Sequence, residues 1–175
     1  TDAFQGLATF SAEHGSLLVH QRIARKSAAT AVALDLFDEV SLQLESSNQG
    51  RSWFVKEARL LTRHPGIGGS YDTLRHASTL ASLIARNPVH EDSRRAVGDL
   101  LRTAFAAFAT GQRPDIVYFK SLYRFARDEG YPLKQHWFPT LPAADRTEVA
   151  ALINQPLAAQ TAPAAWTTDP APADA

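Results

Sequence analysis

The spacing of apolar residues changes once along this chain of 175 residues, at a short segment rich in glycine. Before the segment, apolar residues recur at every second position, which is typical of β-strands, and after it they recur at every third or fourth, which is typical of helices. The segment, 65–69, holds one Pro and three Gly, a composition that extends neither a helix nor a strand. The sequence therefore predicts an α+β protein with a hinge at 65–69.

The part before the hinge, 1–64, is predicted to form four or five short strands. Segments 6–10, 16–22, 34–44 and 53–61 are β-prone, and in 34–44 the apolar residues fall on one parity. Gly15 can take a positive φ in the turn between the first two strands. Since closure hides the edges of a small sheet, these strands predict a small barrel or sandwich.

The part after the hinge, 70–155, is predicted to be helical. Apolar periodicity indicates helices that begin near Tyr71, Ser93 and Asp115, with a short fourth helix at 145–153. Gly111 is expected to end the second helix in a left-handed conformation, and Gly130 to mark the end of the third. Residues 156–175 are mostly Ala, Pro and Thr, so we expect a disordered tail.

The overall charge of the chain excludes no partner but favours none. Eighteen Lys and Arg balance 18 Asp and Glu, so a charged ligand must be met by a local patch. The absence of Cys excludes disulfides and Cys-ligated zinc, and it fits a reducing compartment such as the bacterial cytoplasm. No run of 18 apolar residues is present, so no membrane-spanning segment is expected.

Residue patterns typical of enzymes are absent from the sequence. The six His residues show no metal-ligand spacing, and no serine stands in a nucleophile motif. The glycines of 66–69 lack the Lys and Ser or Thr of a phosphate-binding loop. We therefore expect no catalytic residues, no metal and no cofactor.

Two basic clusters stand out from the otherwise mixed charges. Arg22, Arg25 and Lys26 lie within five residues, where the second predicted strand gives way to a loop, with no acid between His20 and Thr30. Either this cluster neutralises phosphates or its charges keep a loop solvated.

The second cluster lies on the third predicted helix. Lys120, Arg124 and Arg127 are spaced i, i+4 and i+7, so they share one helix face. This face is either a partner-binding or second DNA contact, or a solvated surface. Trp53 and Phe54 offer a further possibility, since an aromatic ring either stacks on bases or packs into a core.

Several segments resemble, in order, the bacterial DNA repair protein RecO family. They are Thr-Phe-Ser-Ala-Glu-His-Gly at 9–15, the basic Ala-Arg-Lys-Ser at 24–27, Trp-Phe-Val-Lys-Glu-Ala at 53–58, Tyr-Phe-Lys-Ser-Leu at 118–122, and Glu-Gly-Tyr-Pro at 129–132. Together they span about residues 4 to 155. The first strand of that family's barrel has no counterpart before Thr1, and the zinc-binding cysteines of many members are missing.

The resemblance implies an N-terminal OB-like β-barrel, incomplete at its N-terminus, followed by an α-helical domain. It also implies a non-enzymatic recombination mediator that binds single- and double-stranded DNA, anneals complementary strands and promotes recombinase loading. RecR and the single-strand binding protein would be its partners, and Arg22, Arg25 and Lys26 would contact DNA. The alternative is a protein-interaction module whose helical domain binds an acidic partner peptide beside Lys120, Arg124 and Arg127.

Overall fold

A computed structural model describes residues 4–23, 33–47 and 49–161 of the chain. Its N-terminal part is one mixed sheet of four strands, β1 (Phe4–Ser11), β2 (Gly15–Arg22), β3 (Glu39–Ser47) and β4 (Ser52–Thr62). The strand order is β1-β2-β4-β3, with antiparallel outer pairs and a parallel β2–β4 pair in the middle. Within the described residues the sheet is open, and β1 and β3 are its edges.

The two faces of the sheet follow the alternation of the sequence. Val19 lies opposite Trp53, and Leu44 opposite Val55, so these residues share the inner face, where Val19 is fully buried. The expected alternation is confirmed in β3 from Val40 onward. Strand β3 starts at Glu39, later than expected, because the preceding residues form a turn in which Phe37 has a φ of 66°.

Helices follow the sheet, as the sequence predicts. They are α1 (Tyr71–Arg86), α2 (Arg94–Thr110), α3 (Pro114–Asp128) and α4 (Ala143–Ile153), with a π-turn at Leu133–Trp137 between α3 and α4. Ser70 accepts a hydrogen bond from the backbone of Thr73 and so caps α1. The α+β class and the order of its two parts are confirmed. No helix in the described part of the chain is long and apolar enough to cross a bilayer.

The segment predicted as a hinge is a 3₁₀ turn, Pro65–Gly69, that is packed against the helices. Ile67 is buried in the main hydrophobic core, together with Ala77 and Leu80 of α1. A Cβ at Gly66 would overlap the backbone carbonyl of Ala109, so glycine permits the close approach of this turn to α2.

The two glycines expected to end helices behave differently. Gly130 has a φ of 82°, and the amides of Gly130 and Tyr131 donate to the carbonyls of Arg127 and Ala126, which is a Schellman cap. Gly111 instead has a φ of −98°, so the left-handed cap expected there is wrong. Glycine fits at 111 because a Cβ there would overlap the side chain of Gln160.

The sheet rests on the helices through one end of its strands. Phe10 packs against the helical core, and the ring of Phe37 lies 5.0 Å from that of Phe105 in α2. Arg102 of α2 also donates to the Glu39 carboxylate over 2.9 Å. These contacts tie the start of β3 and the end of β1 to α2.

Residues 156–161, expected to begin a disordered tail, are packed on the helices. Leu157 is 1% exposed and belongs to the main core. The Gln160 side chain donates to the Ala107 carbonyl at the end of α2 and accepts from the Arg113 amide at the start of α3. This segment is therefore part of the helical unit, while 162–175 lie outside the described residues.

Candidate nucleic-acid interface

A cluster of three rings lies on the outer face of the sheet, opposite the face that carries Val19. His20 is the register partner of both Gly6 on β1 and Phe54 on β4. The ring centroid of Phe54 lies 5.5 Å from that of His20 and 5.4 Å from that of Phe4. Three neighbouring strands thus each contribute one ring.

The ring cluster of Phe4, His20 and Phe54 is partly open to solvent, since Phe4 is exposed and His20 and Phe54 are half-buried. Phe4 is 47% exposed, although an aromatic side chain of this size usually gains stability by burial. Small residues lie beside the rings on the same face, since Gly6 pairs with His20 and Ala8 with the exposed Leu18. Flat rings with small neighbours form a surface on which planar ligands can stack.

Arg22 supplies a cation at the edge of the ring cluster. It ends β2, is exposed, and lies directly opposite Phe4 in the antiparallel register. Arg25 and Lys26, the other two predicted DNA contacts, lie outside the described residues. The described part of the site therefore combines three rings and one guanidinium on a single face, together with the exposed Glu45 carboxylate, which lies opposite Phe54 in the β3–β4 register.

Trp53 and Phe54 lie on opposite faces of the sheet, as adjacent residues of a strand do. Trp53 is on the inner face with Val19, whereas Phe54 is on the outer face with His20. The ring of Trp53 also stacks on that of His14 with centroids 6.3 Å apart. Of the two aromatic residues considered from the sequence, Phe54 is the one placed to meet a ligand.

The three basic residues of α3 have different environments. Lys120 is fully buried, and its Nζ donates to the carbonyls of Pro156 and Ala159 at 2.6 and 2.7 Å. Burial, assisted by the charge of Arg124, lowers the pKa of the Lys120 ammonium. Lys120 thus holds the C-terminal segment, and its ammonium is covered by the chain itself.

Arg124 and Arg127 line a cleft of about 520 Å³ between α2, α3 and the end of α4. Asp99 and Asp128 line the same cleft, and Arg127 is paired with Asp128 at 2.7 Å. Arg124 donates to the Gln155 carbonyl over 3.2 Å. The cleft therefore presents both signs of charge, and the contact role of this cluster stays a prediction.

The sequence pattern alone did not identify Phe4 and His20 as site residues. The alternation in β2 places His20 and Val19 on opposite faces of the sheet. Only the strand order, however, brings β4 beside β2. The parallel pairing of His20 with Phe54 joins residues from distant parts of the chain. A sequence signal did exist, since the first hairpin places Phe4 and His20 on the same face of neighbouring strands.

Within the described residues, no group of three or more His, Asp or Glu side chains is arranged to hold a metal ion. Comparison of the chain with family models, with curated proteins and with solved structures gave no significant match.

Proposed function

We propose that this protein is a DNA-binding recombination mediator of the RecO type, which binds single- and double-stranded DNA, anneals complementary strands and promotes recombinase loading. The observation that carries the proposal is the ring cluster of Phe4, His20 and Phe54 beside Arg22. Base stacking on an aromatic ring contributes about 1–3 kcal/mol per base, and it tolerates any base sequence. An annealing protein needs such sequence-independent binding.

The strand order supports an OB-like barrel as the finer description of the N-terminal part. An OB-fold is a five-stranded, partly open barrel that binds oligonucleotides on one face. The order β1-β2-β4-β3 leaves two edges, and one further strand paired with both β1 and β3 would close it. The parallel pair in the middle of the sheet fits a barrel that is not a simple meander.

The zero net charge of the chain limits how it can bind the phosphates of DNA. With a formal net charge of zero, long-range attraction contributes little, so phosphates must be met by Arg22, Arg25 and Lys26. Three phosphate contacts on a single strand give a salt slope of about −2 in log K against log salt. The proposed binding is accordingly moderate in affinity and dependent on salt.

The partners and chemistry of the proposed function come from the resemblance. RecR and the single-strand binding protein would be the protein partners, and no cofactor would be required. The activity would be non-enzymatic, since annealing and loading depend on binding and release rather than on bond making.

Fluorescence anisotropy with a labelled single-stranded oligonucleotide tests the proposal. Phe54→Ala should weaken binding roughly five- to a hundredfold because it removes a stacking platform. Leu61→Ala is the matched control, since Leu61 is a 53% exposed apolar residue on the same strand, away from the rings. Equal effects of the two substitutions, or no binding by the unaltered chain at low salt, would contradict the proposal.

The phosphate contacts are tested separately by a salt series. Arg22→Ala, Arg25→Ala and Lys26→Ala should each reduce the salt slope by about 0.7. Lys120→Met should leave the slope unchanged, since the Lys120 ammonium is covered by the C-terminal segment. An annealing assay with two complementary labelled strands then asks whether the Phe54→Ala variant also loses annealing.

The second candidate function is a protein-interaction module that binds an acidic peptide through its helical domain. It is favoured by the cleft that brings Arg124 and Arg127 together. Titration with an acidic C-terminal peptide of a single-strand binding protein separates the two functions. The module requires peptide binding that Arg124→Ala weakens, and it does not require Phe54.

A further inference from the structure

One row of residues crosses all four strands on the outer face of the sheet. Gly6 pairs with His20, and His20 pairs with Phe54. Phe54 pairs in turn with Glu45, so the row follows the strand order β1-β2-β4-β3. Cross-strand partners point to the same side of a sheet, and neighbouring strands lie about 4.7–4.9 Å apart. The Phe54 ring therefore has a hydrogen-bonding side chain on each side, the His20 imidazole on β2 and the Glu45 carboxylate on β3.

The charges on the two sides of Phe54 differ in sign. Arg22 lies on β2, two residues beyond His20 on the same face, whereas Glu45 lies on β3 and is exposed. A phosphate is attracted to a guanidinium and repelled by a carboxylate. In a nucleotide the sugar-phosphate and the Watson–Crick edge lie at opposite ends of the base. A base stacked on Phe54 would therefore have its phosphate towards Arg22 and its Watson–Crick edge towards Glu45.

We infer that Glu45 makes this surface prefer the bases that carry an exocyclic amino group, which are adenine, cytosine and guanine, over thymine. An ionised carboxylate only accepts hydrogen bonds, and the amino group of cytosine is a donor to Glu and Asp side chains in protein–DNA complexes. Thymine offers a single ring N–H between two carbonyl oxygens, so a carboxylate at its edge meets an oxygen on either side. This base preference rests on the proposed function, since it concerns the same stacking site.

The preference is compatible with binding to any sequence. Stacking on Phe54 contributes for every base, because each base has a π face. Water competes for the exposed Glu45 carboxylate, so the discrimination should be roughly three- to tenfold, less than a buried base contact gives. Annealing of mixed sequences would thus persist beside the preference.

Two labelled oligonucleotides that differ only at the Watson–Crick edge test the inference. 5-Methylcytosine and thymine share the pyrimidine ring and the methyl group, but the first has an amino group on C4 and the second has a carbonyl oxygen. Each oligonucleotide carries one of the two bases throughout and has about 12 nucleotides, within the site size of an OB-fold. Fluorescence anisotropy in mildly alkaline buffer, where cytosine is unprotonated, should show that the unaltered chain binds the 5-methylcytosine oligonucleotide roughly three- to tenfold more tightly.

Glu45→Gln should bring the ratio of the two affinities close to one, because an amide offers a donor as well as an acceptor and can pair with either base. The substitution also removes a negative charge, so both affinities should rise. Glu57→Gln is the matched control, since Glu57 is exposed and pairs with Gln43, the neighbour of Glu45 on that face of β3. It should raise both affinities and leave their ratio unchanged. Circular dichroism checks that each variant is folded.

A ratio of one or below for the unaltered chain would overturn the inference. So would a ratio that Glu45→Gln and Glu57→Gln change equally. If Phe54→Ala still weakened binding to both oligonucleotides in either case, the proposed function would stand without the base preference. Absence of binding to both oligonucleotides at low salt would overturn the base preference together with the proposed function.

Discussion

The guanidinium of Arg63 binds both carboxylate oxygens of Asp38, with Nε–Oδ1 at 3.0 Å and Nη2–Oδ2 at 2.7 Å. Asp38 immediately precedes β3 and Arg63 immediately follows β4, so the pair extends the β3–β4 ladder by one step. The Asp38 side chain is 2% exposed and also accepts from the Asp35 amide. These bonds hold the turn in which Phe37 takes a positive φ.

Loss of the Asp38 charge should destabilise the protein. Asp38→Asn keeps the size of the side chain but weakens its hydrogen bonds to a charged partner, and it releases a turn that already contains backbone strain at Phe37. We expect the free energy of unfolding to fall by about 1–3 kcal/mol. Urea unfolding measures it, with Glu45→Gln on the exposed face of β3 as the control. A loss no larger than that of the control would contradict this role.

The same pair predicts a pH dependence of stability. The hydrogen bonds from Arg63 hold the pKa of the Asp38 carboxyl below its usual value of 3.8. Protonation therefore favours the unfolded chain. The stabilisation is fully present above the usual value, and it is lost as the pH falls through the lowered one. The difference in urea midpoint between the unaltered chain and Asp38→Asn should stay constant from pH 7 to about pH 4 and shrink below it. A difference that shrinks already between pH 7 and pH 5 would assign the effect to another group.

Local sequence patterns predicted the strands and helices of this fold better than they predicted the contacts between them. Alternation identified the inner face from Val40 onward, and the Gly130 cap followed from helix-end chemistry, because both depend on residues close in sequence. The burial of Lys120 could not be predicted, since its cover comes from a segment of mostly small residues that shows no periodicity. Likewise, the ring cluster depends on the parallel pairing of β2 with β4, and the spacing of residues in either strand does not determine strand order.

Gly66 should tolerate no side chain, although the composition of segment 65–69 alone suggested a flexible hinge. Gly66→Ala would place a Cβ against the Ala109 carbonyl, and the backbone of α2 cannot move aside as a side chain can. We expect a loss of about 1–3 kcal/mol in the free energy of unfolding. Gly68→Ala is the control, because its Cβ would meet no atom within 4 Å. Thermal unfolding of both variants separates a packed turn from a hinge, since a hinge would tolerate both substitutions equally.

Leu157 should contribute to stability as a core residue does, even though it lies in a segment of tail-like composition. Leu157→Ala would leave a cavity in the main hydrophobic core, and such truncations cost about 2–5 kcal/mol. Loss of the Leu157 side chain should also speed amide hydrogen exchange in 157–161. Only the hydrogen bonds from Lys120 and Gln160 would then hold this segment on the helices. Leu36→Ala, at a 68% exposed position, is the matched control and should change the free energy of unfolding by less than about 0.5 kcal/mol. If Leu157→Ala proved as mild as this control, residues 156–161 would be a tail after all, and Lys120 would be free to meet a partner.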